Sequence, residues 1–408
     1  MKRELDLQTS STKWTPKELS KTGFELIQHF LPAQFPASVA PGYAQFCGFC
    51  FLASVSGSAG MVLSTQTLLL AIGVVGNAHS ASVMAGALNW VLKDGIGQLG
   101  GVIFASRMGE TRRFDANPKK WRMMGALCLD SASLLDILSP FAPSAVVLPL
   151  ACFANALKNI GYLTVGASRA ALHQALTRAG NLGDVTAKAG SQSIAAGLLG
   201  TGVGIGLSAA MGHDAGNFVL GFCGLSLIHQ LCNFAALQHV DLHHFNRHRL
   251  YLVLDHYLRH GKVLSPREIA TKESFFPLLR EDDTASWLSI GSALTAISPG
   301  GPNELTQLLK ACPDESYIIN CTNDGKIHVV FLQDAQGEDL VKGMFHACFL
   351  RKKTGLSIDG VEAVVATHEE TKVRFPHFLE ELNRQAWNIS TNVTNIESSS
   401  RAVRFILN

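Results

Sequence analysis

Formal charge is missing from a long stretch near the start of this 408-residue chain. No Asp, Glu, Lys or Arg occurs in the 67 residues from Leu26 to Leu92, where the chain average of 16% would place about eleven. The stretch ends at an adjacent pair, Lys93 and Asp94, inside the string NWVLKDGIGQLGG. Charges are costly at membrane depth, so this pair indicates a functional polar site if the segment is embedded. A helix at a membrane surface would instead leave both side chains solvated.

The partners of this pair are predicted from helix geometry. Adjacent helical residues point about 100° apart, so we expect Lys93 and Asp94 not to pair with each other. The candidate partners are Asp130 and Asp136 for Lys93, and Arg122, Arg169 or Lys188 for Asp94.

Other absences narrow the class of protein. The nine cysteines are odd in number and scattered, which indicates free thiols in a reducing compartment rather than a disulfide framework. The net charge is +2 and no long basic stripe occurs, so we expect no nucleic-acid partner. The first residues, MKRELDLQTSSTKW, have no apolar signal-peptide core, and their acids argue against a transit peptide.

Uncharged runs favour a membrane protein over a soluble helical one, although their Ser and Gly content keeps the soluble alternative open. Tyr43–Val75 is long enough for one spanning helix, and Ser191–Gly212 with Ala215–Gln238 forms the best candidate hairpin. Ser80–Met108 and Trp121–Leu138 also have helical patterns. Ile137–Leu157 contains three prolines, so an unkinked span there is doubtful. The basic loop 107–122 predicts a cytosolic or matrix-like side.

Glycines in the first of the hairpin segments indicate helix packing. Gly200 and Gly204, and likewise Gly202 and Gly206, are four residues apart and form small-residue faces. Their strict alternation fits neither GxGxxG nor a P-loop, so a phosphate loop is not predicted.

The composition after residue 240 is that of an ordinary soluble domain. ESYIINCTNDGKIHVVF predicts a hairpin with an Asn-Asp-Gly turn. We expect helices over 337–353 and Phe375–Trp387, a closing strand over Ala402–Leu407, and a loop at 296–305. The fold class is therefore mainly α, a multi-helix and membrane-embedded domain followed by a small C-terminal α+β domain. The predicted divisions are a polar segment 1–25, a helical core 26–240, a helical connector 241–300 and an α+β domain 301–408.

Motifs that carry chemistry are weak in this chain. The His-rich string HVDLHHFNRHR (239–249) places His239 and His243 on one helix face but has no matching Cys or His pair nearby. CGFC (47–50) lies in an apolar tract, which favours buried thiols over a redox pair. We predict no metal, no cofactor and no catalytic residues, and we lean against an enzyme.

Eight strings along the chain are distinctive when taken together. They are FLPAQFPASVAPGY (30–43), STQTLLLAIGV (64–74), NWVLKDGIGQLGG (89–101), FDANPKKWR (114–122), KNIGYLTVGASRAAL (158–172), NLGDVTAKAGSQ (181–192), FNRHRL (245–250) and GKVLSPREIATKESF (261–275). Together they resemble the root UV-B sensitive (RUS) family of plants, animals and protists. The similarity covers nearly the whole chain from about residue 24, and the combination of NWVLKDG with FDxxPKxWR is highly specific.

The resemblance implies a membrane or plastid-associated protein linked to vitamin B6 homeostasis, UV-B responses and auxin transport, without supplying a catalytic residue. This chain departs from the family pattern where Ala189 and Gly190 follow Lys188, and at Ala126, so a carboxylate role at these places is in doubt. The strings mark a candidate polar centre, which comprises Asn89, Trp90, Lys93, Asp94, Gly95, Asp115, Trp121, Arg122, Arg169, Asp184, Lys188 and Gln192.

Three functions are compatible with these observations. The first is a polytopic membrane protein, in an organelle that the sequence does not identify, that moves or senses a small polar metabolite, with a B6 vitamer implied by the family. The second is a non-enzymatic scaffold that pairs with a RUS-family paralogue or with itself. The third is an enzyme that uses Lys93, Asp94, Asp115 or Asp184 in a helical cleft.

Overall fold

Long helices form the first half of the chain, as the uncharged runs predict. The computed structural model describes residues 28–71, 80–108, 113–212, 215–276, 286–322, 325–354 and 360–389. The predicted helix over Ser80–Met108 is confirmed at both ends. The helices of this part are α1 (Tyr43–Ala71), α2 (Ser80–Met108), α3 (Arg113–Ala116), α4 (Pro118–Leu138), α5 (Ser144–Leu176), α6 (Leu182–Met211) and α7 (Ala215–Gln238).

Helix α1 is the centre of this bundle. It packs against α4, α6 and α7, while α5 packs against α4 and α2. The two candidate hairpin helices α6 and α7 therefore lie mainly on α1 and touch each other little. Glycine permits the close approach of α6: a Cβ at Gly200 would lie 2.4 Å from the Val55 carbonyl oxygen, and one at Gly204 would lie 2.8 Å from that of Ala59.

The three prolines after Ile137 do not prevent a continuous helix. Pro140 lies in a short 3₁₀ turn, Ser139–Phe141, and Pro143 is the residue before α5. Only Pro149 lies inside α5, close to its start, where one lost backbone hydrogen bond is tolerated. The expected break therefore falls between α4 and α5, and α5 continues for 33 residues.

Five described helices are long and apolar enough to cross a membrane. They coincide with α1, α4, α5, α6 and α7, and each carries at most two charged residues in its most apolar window. Large apolar side chains on α6 and α7 point outward, since Ile194 and Leu198 are both 77% exposed and Leu220 is 72% exposed. Such surfaces suit lipid better than water.

The second half of the chain is a smaller α+β arrangement, which confirms the predicted fold class. Strands β2 (Tyr317–Cys321) and β3 (Ile327–Phe331) form the predicted antiparallel hairpin, whose turn contains Gly325 with φ of 76°. A short strand β1 (Leu288–Ile290) pairs in parallel with β3, so the sheet order is β1-β3-β2. The helices here are α8 (Arg247–His260), α9 (Pro266–Lys272), α10 (Leu294–Ile297), α11 (Pro302–Ala311), α12 (Gly337–Thr354) and α13 (Val361–Arg384).

One apolar core joins this half, from Phe245 to Trp387. The predicted helix over 337–353 is confirmed by α12, whereas α13 begins at Val361, 14 residues before the predicted start at Phe375. Its early turns are rich in charge, but Ala363, Val364 and Thr367 form a buried stripe on one face. The predicted strand Ala402–Leu407 lies outside the described residues.

Candidate polar sites in the helical bundle

Lys93 and Asp94 form an ion pair, so the expectation of separate partners is wrong. Lys93 Nζ lies 2.8 Å from Asp94 Oδ1, and its side chain is 6% exposed against 44% for Asp94. The ammonium also lies 4.0 Å from the centroid of the Trp90 ring, a cation–π distance. The directions of adjacent Cβ atoms on a helix do not limit the four-carbon stem of lysine, which bends its charge back to the neighbouring carboxylate.

A polar contact with α5 completes this site. Asn155 Nδ2 donates to the Lys93 carbonyl at 3.2 Å and to Asp94 Oδ1 at 3.3 Å. Gly97 makes room for it, because a Cβ there would lie 2.2 Å from Asn155 Nδ2. The glycine-rich string therefore serves close packing of α2 on α5.

Asp136, one of the predicted partners of Lys93, pairs with Lys158 of α5 instead. The charge of Lys93 nevertheless acts electrostatically on this buried carboxylate. None of the cations predicted for Asp94 reaches it. Sequence reasoning missed Asn155 and Lys158, although both belong to or adjoin the string KNIGYLTVGASRAAL, whose polar start was the available signal.

Three of the predicted residues line one cavity at the end of the bundle where α1 and α4 begin. Arg122, Arg169 and Gln192 face a space of about 50 Å³, together with side chains of α1 that include Cys47 and Cys50. Arg122 Nε donates to Asn233 Oδ1 of α7 at 3.4 Å. The structure thus brings together residues that are 70 positions apart in sequence.

The predicted residues of α6 hold the segment before α1. Asp184 Oδ2 accepts from the Ala33 amide at 2.7 Å, and Lys188 Nζ donates to the His29 carbonyl at 2.7 Å. Gln192 Nε2 donates to the Phe30 carbonyl at 2.8 Å. The spacing of four residues puts these three side chains on one helix face, where they fix a neighbouring loop.

The remaining predicted residues lie apart from this cavity. Asp115 is exposed, and its carbonyl accepts from His244 Nε2 at 3.2 Å. The Trp121 ring packs on Phe114, with centroids 5.0 Å apart. Asn89 is half-buried in α2, and a Cβ at Gly95 would meet no described atom within 4 Å. The single predicted centre is therefore several separate sites.

Asp130 is the centre of an interior network that the sequence did not reveal. Its carboxylate lies 2.7 Å from Ser226 Oγ, 2.9 Å from His229 Nδ1 and 2.7 Å from Gln230 Nε2, all on α7. Asn233 Nδ2 donates to the His229 carbonyl at 2.9 Å, and Asn233 also accepts from Arg122. Polar groups thus run from the arginine cavity to Asp130.

A buried ion triad connects the bundle to the C-terminal half. Glu273 lies 2.8 Å from Arg249 Nε and 3.4 Å from Lys119 Nζ, and all three side chains are at most 5% exposed. Burial alone would raise the pKa of Glu273, but the charges of Arg249 and Lys119 bring that pKa down to about 2. Arg249 also donates to the Ala116 carbonyl at 3.0 Å. Three RUS-like strings therefore meet here.

The C-terminal core contains a group of potential metal ligands, Cys312, His346 and His368, whose ligand atoms lie within 4.8 Å of one another. His346 is already satisfied, since Nδ1 lies 3.1 Å from Tyr317 Oη and Nε2 lies 3.0 Å from Thr367 Oγ1. Burial lowers the pKa of His346 to about 3, so it is neutral at physiological pH. These contacts account for His346, whereas both ring nitrogens of the buried His368 make no hydrogen bond to another described residue.

The His-rich string does not form a ligand cluster. His239 Nδ1 bonds to the Ala235 carbonyl at 2.8 Å and His244 bonds to that of Asp115. Asp241 lies 3.3 Å from Arg267. These three side chains are occupied with separate neighbours.

The fold and these sites define a helical protein of membrane-spanning composition that keeps charged groups inside its bundle. The chain belongs to the root UVB sensitive family. Residues 16–261 match the family model described as a vitamin B6 photo-protection and homoeostasis domain. Residues 262–398 match the model described as the C-terminal region of root UVB sensitive proteins.

Relatives from plants and protists share most of this chain. It is 31% identical to protein root UVB sensitive 3 of Arabidopsis thaliana, over 84% of this chain and 79% of the relative. It is 28% identical to protein root UVB sensitive 2, chloroplastic, of the same plant, over 88% of this chain and 81% of the relative. RUS family member 1 of Dictyostelium discoideum is 31% identical over 65% of this chain and 50% of the relative. No solved structure matches the chain significantly.

Proposed function

We propose that this chain is a membrane protein that binds a small polar metabolite inside its helical bundle, either to transport it or to sense it. The observation that carries this proposal is the interior polar path from Arg122 through Asn233 and His229 to Asp130. Ionisable groups inside membrane helices are rare and usually mark solute pathways.

The depth of these groups supports passage or binding within the bundle. Arg122, Asp130 and Asp136 lie along α4 over about 21 Å, at 1.5 Å per residue, and each has an interior partner on α5 or α7. The hydrocarbon core of a bilayer is roughly 30 Å thick. Helix packing alone does not require charges at these depths.

The family description directs the choice of metabolite. A domain described by vitamin B6 photo-protection and homoeostasis makes B6 vitamers the first solutes to test. These are small rings with hydroxyl groups and a ring nitrogen, and a network of carboxylate, imidazole and amide groups offers both donors and acceptors to them. The present cavity of about 50 Å³ is smaller than a vitamer, so binding requires the helices to separate.

Reconstituted protein tests this function. Liposomes containing the purified chain are loaded with radiolabelled pyridoxine or pyridoxal, and flux and equilibrium binding are measured. We expect flux above protein-free liposomes and a loss of at least about tenfold in Asp130→Asn, because the carboxylate accepts three hydrogen bonds.

Ser131→Ala is the matched control, since Ser131 is the next residue of α4 and is exposed. Binding without flux supports the sensing arm of the proposal. The proposal is wrong if no vitamer binds or crosses, or if Asp130→Asn and Ser131→Ala behave alike.

A second function, a scaffold that pairs with a RUS-family paralogue or with a second copy, has one observation in its favour. Gly202 and Gly206 form an open small-residue face on α6, where an added Cβ would meet no described atom within 4 Å. Such faces suit close helix association in lipid. Co-purification with a paralogue that Gly206→Leu abolishes, without vitamer binding, would favour this scaffold.

A further inference from the structure

The cavity at the start of α1 and α4 has an unbalanced charge. Arg122 and Arg169 both face it, and each acts electrostatically on the other, so their positive charges repel. Among the described residues, no carboxylate lies within ion-pair distance of either guanidinium. The side-chain acceptor of Arg122 there is the neutral Asn233, at 3.4 Å.

Three buried or half-buried lysines of the described bundle have carboxylate partners. Lys93 lies 2.8 Å from Asp94, and Lys158 pairs with Asp136. Lys119 shares Glu273 with an arginine. Arg122 is half-buried and has no described acid beside it, so it is an exception to this pattern, and leaving its charge uncompensated is costly.

The remaining lining is rich in neutral donors and poor in acid. Ser54, Ser193, Gln192 and His173 also face this cavity. The hydroxyls of Ser54 and Ser193 make no hydrogen bond to another described residue. Arginine forks match the geometry of oxyanions, and free hydroxyls add further donors.

The size of the cavity fits one small oxyanion. A space of about 50 Å³ holds roughly four water-sized centres, which corresponds to the four oxygens of a phosphate group. Arg169 is exposed, so the cavity reaches the protein surface at that residue. A ligand can therefore enter from this end of the bundle.

We propose that Arg122 and Arg169 form a binding site for a phosphoryl group or a similar small oxyanion. This inference rests on the proposed function for the passage or sensing of the ligand. It adds that the metabolite carries a negatively charged group, which the two arginines bind. Its phosphoryl group comes either from a soluble phosphate or phosphate ester, or from a lipid headgroup beside Arg169.

Thermal unfolding of the full chain in an uncharged detergent tests this site. Sodium phosphate is compared with sodium chloride at equal ionic strength, because salt alone screens charges. A ligand that binds only the folded state raises the apparent melting temperature. We expect phosphate to raise the apparent melting temperature of the wild type by at least about 2 °C. The apparent melting temperature of Arg169→Gln should not change.

Two pairs of variants make the result specific. Arg178→Gln removes an exposed arginine that does not line the cavity, so the phosphate effect should persist. Ser193→Asp places a carboxylate in the cavity and should abolish the stabilisation by phosphate. Ser193→Asn introduces an uncharged side chain of nearly the same shape as Asp and should keep that stabilisation. Ser193 is exposed, so both of its variants are expected to fold.

The source of the phosphoryl group is separated by a lipid arm. The chain is placed in phosphatidylcholine nanodiscs with or without phosphatidylglycerol, and without free phosphate. Stabilisation by phosphatidylglycerol alone, lost in Arg169→Gln, assigns the site to a headgroup. Stabilisation by soluble phosphate assigns it to a solute.

The outcomes also distinguish this inference from the proposed function. Stabilisation by phosphate without vitamer flux or binding supports the oxyanion site and excludes a B6 vitamer as the metabolite. Vitamer binding without stabilisation by either phosphate or phosphatidylglycerol removes the site and keeps the metabolite. The inference is overturned if neither phosphate nor anionic lipid stabilises the wild type more than Ser193→Asp.

Discussion

At the scale of single residues, the burial of Lys93 and Asp94 is unequal, although they form one ion pair. The lysine side chain is 6% exposed and its partner 44%, while Trp90 and Asn155 contact the pair from two sides. Loss of the partner is most harmful to the charge that stays buried. This asymmetry predicts different effects of the two conservative substitutions.

We expect Asp94→Asn to destabilise the chain more than Lys93→Met. The first change leaves a buried ammonium without a carboxylate and should cost on the order of 1–3 kcal/mol. The second leaves a half-exposed carboxylate and a well-packed methionine, with a cost below about 1 kcal/mol. Apparent melting temperatures in detergent measure the stability of both variants. A larger drop in Lys93→Met than in Asp94→Asn would contradict the unequal burial of the pair.

His346 predicts how the stability of the C-terminal half depends on pH. Its pKa is lowered to about 3 by burial, so the unfolded state binds more protons between pH 3 and the ordinary value of 6.5. Stability from this group is therefore complete above about pH 6.5 and falls as the pH drops. His346→Gln, which keeps a polar side chain, should reduce this slope between pH 6.5 and 4 in unfolding measurements, and an unchanged slope would contradict the prediction.

Some site residues were predictable because they belong to recognisable strings, and their partners were not. Arg122, Arg169 and Gln192 were marked from the resemblance and do face one cavity. The directions of adjacent Cβ atoms predict no pairing of Lys93 with Asp94, but the long lysine side chain bends back to its neighbour and forms the pair. Asn155 was missed since contacts between α2 and α5 depend on packing that a single sequence does not show.

At the scale of elements, the helix positions followed from the sequence while their neighbours did not. The helical pattern of Ser80–Met108 matched α2 and the charge-free run Ala215–Gln238 matched α7, whereas α6 begins at Leu182, nine residues before the predicted Ser191. The sequence suggested that α6 and α7 pair as a hairpin, yet both pack on α1. Proximity along the chain favours pairing of neighbours, but the Gly200 and Gly204 face fits the α1 backbone.

Two glycines of α6 provide a matched test of this packing. Gly200→Ala should destabilise the bundle by about 1–3 kcal/mol, because its Cβ would lie 2.4 Å from the Val55 carbonyl oxygen. Gly202→Ala meets no described atom within 4 Å and should be neutral or stabilising by up to about 1 kcal/mol through helix propensity. Thermal unfolding of both variants compares one substitution on opposite faces, and equal effects would exclude the α1 contact.

At the scale of the whole molecule, the buried triad of Lys119, Arg249 and Glu273 links the helical bundle to the C-terminal half. Lys119 lies in the first turn of α4, Arg249 lies in α8 and Glu273 follows α9. One carboxylate contacts two buried cations, so the triad carries a net charge of about +1. Neutralising the carboxylate leaves both cations buried without an acid.

We therefore expect Glu273→Gln to loosen the junction between the halves, with a loss on the order of 3–5 kcal/mol. The surface pair of Asp255 with Arg259 gives the control, since Asp255→Asn should cost less than about 1 kcal/mol. Limited proteolysis and thermal unfolding of the full chain should both show earlier release of the C-terminal half in Glu273→Gln. Adding Lys119→Met to that variant removes one stranded cation and should recover part of the loss. No recovery, or equal behaviour of Glu273→Gln and Asp255→Asn, would mean that apolar packing alone joins the halves.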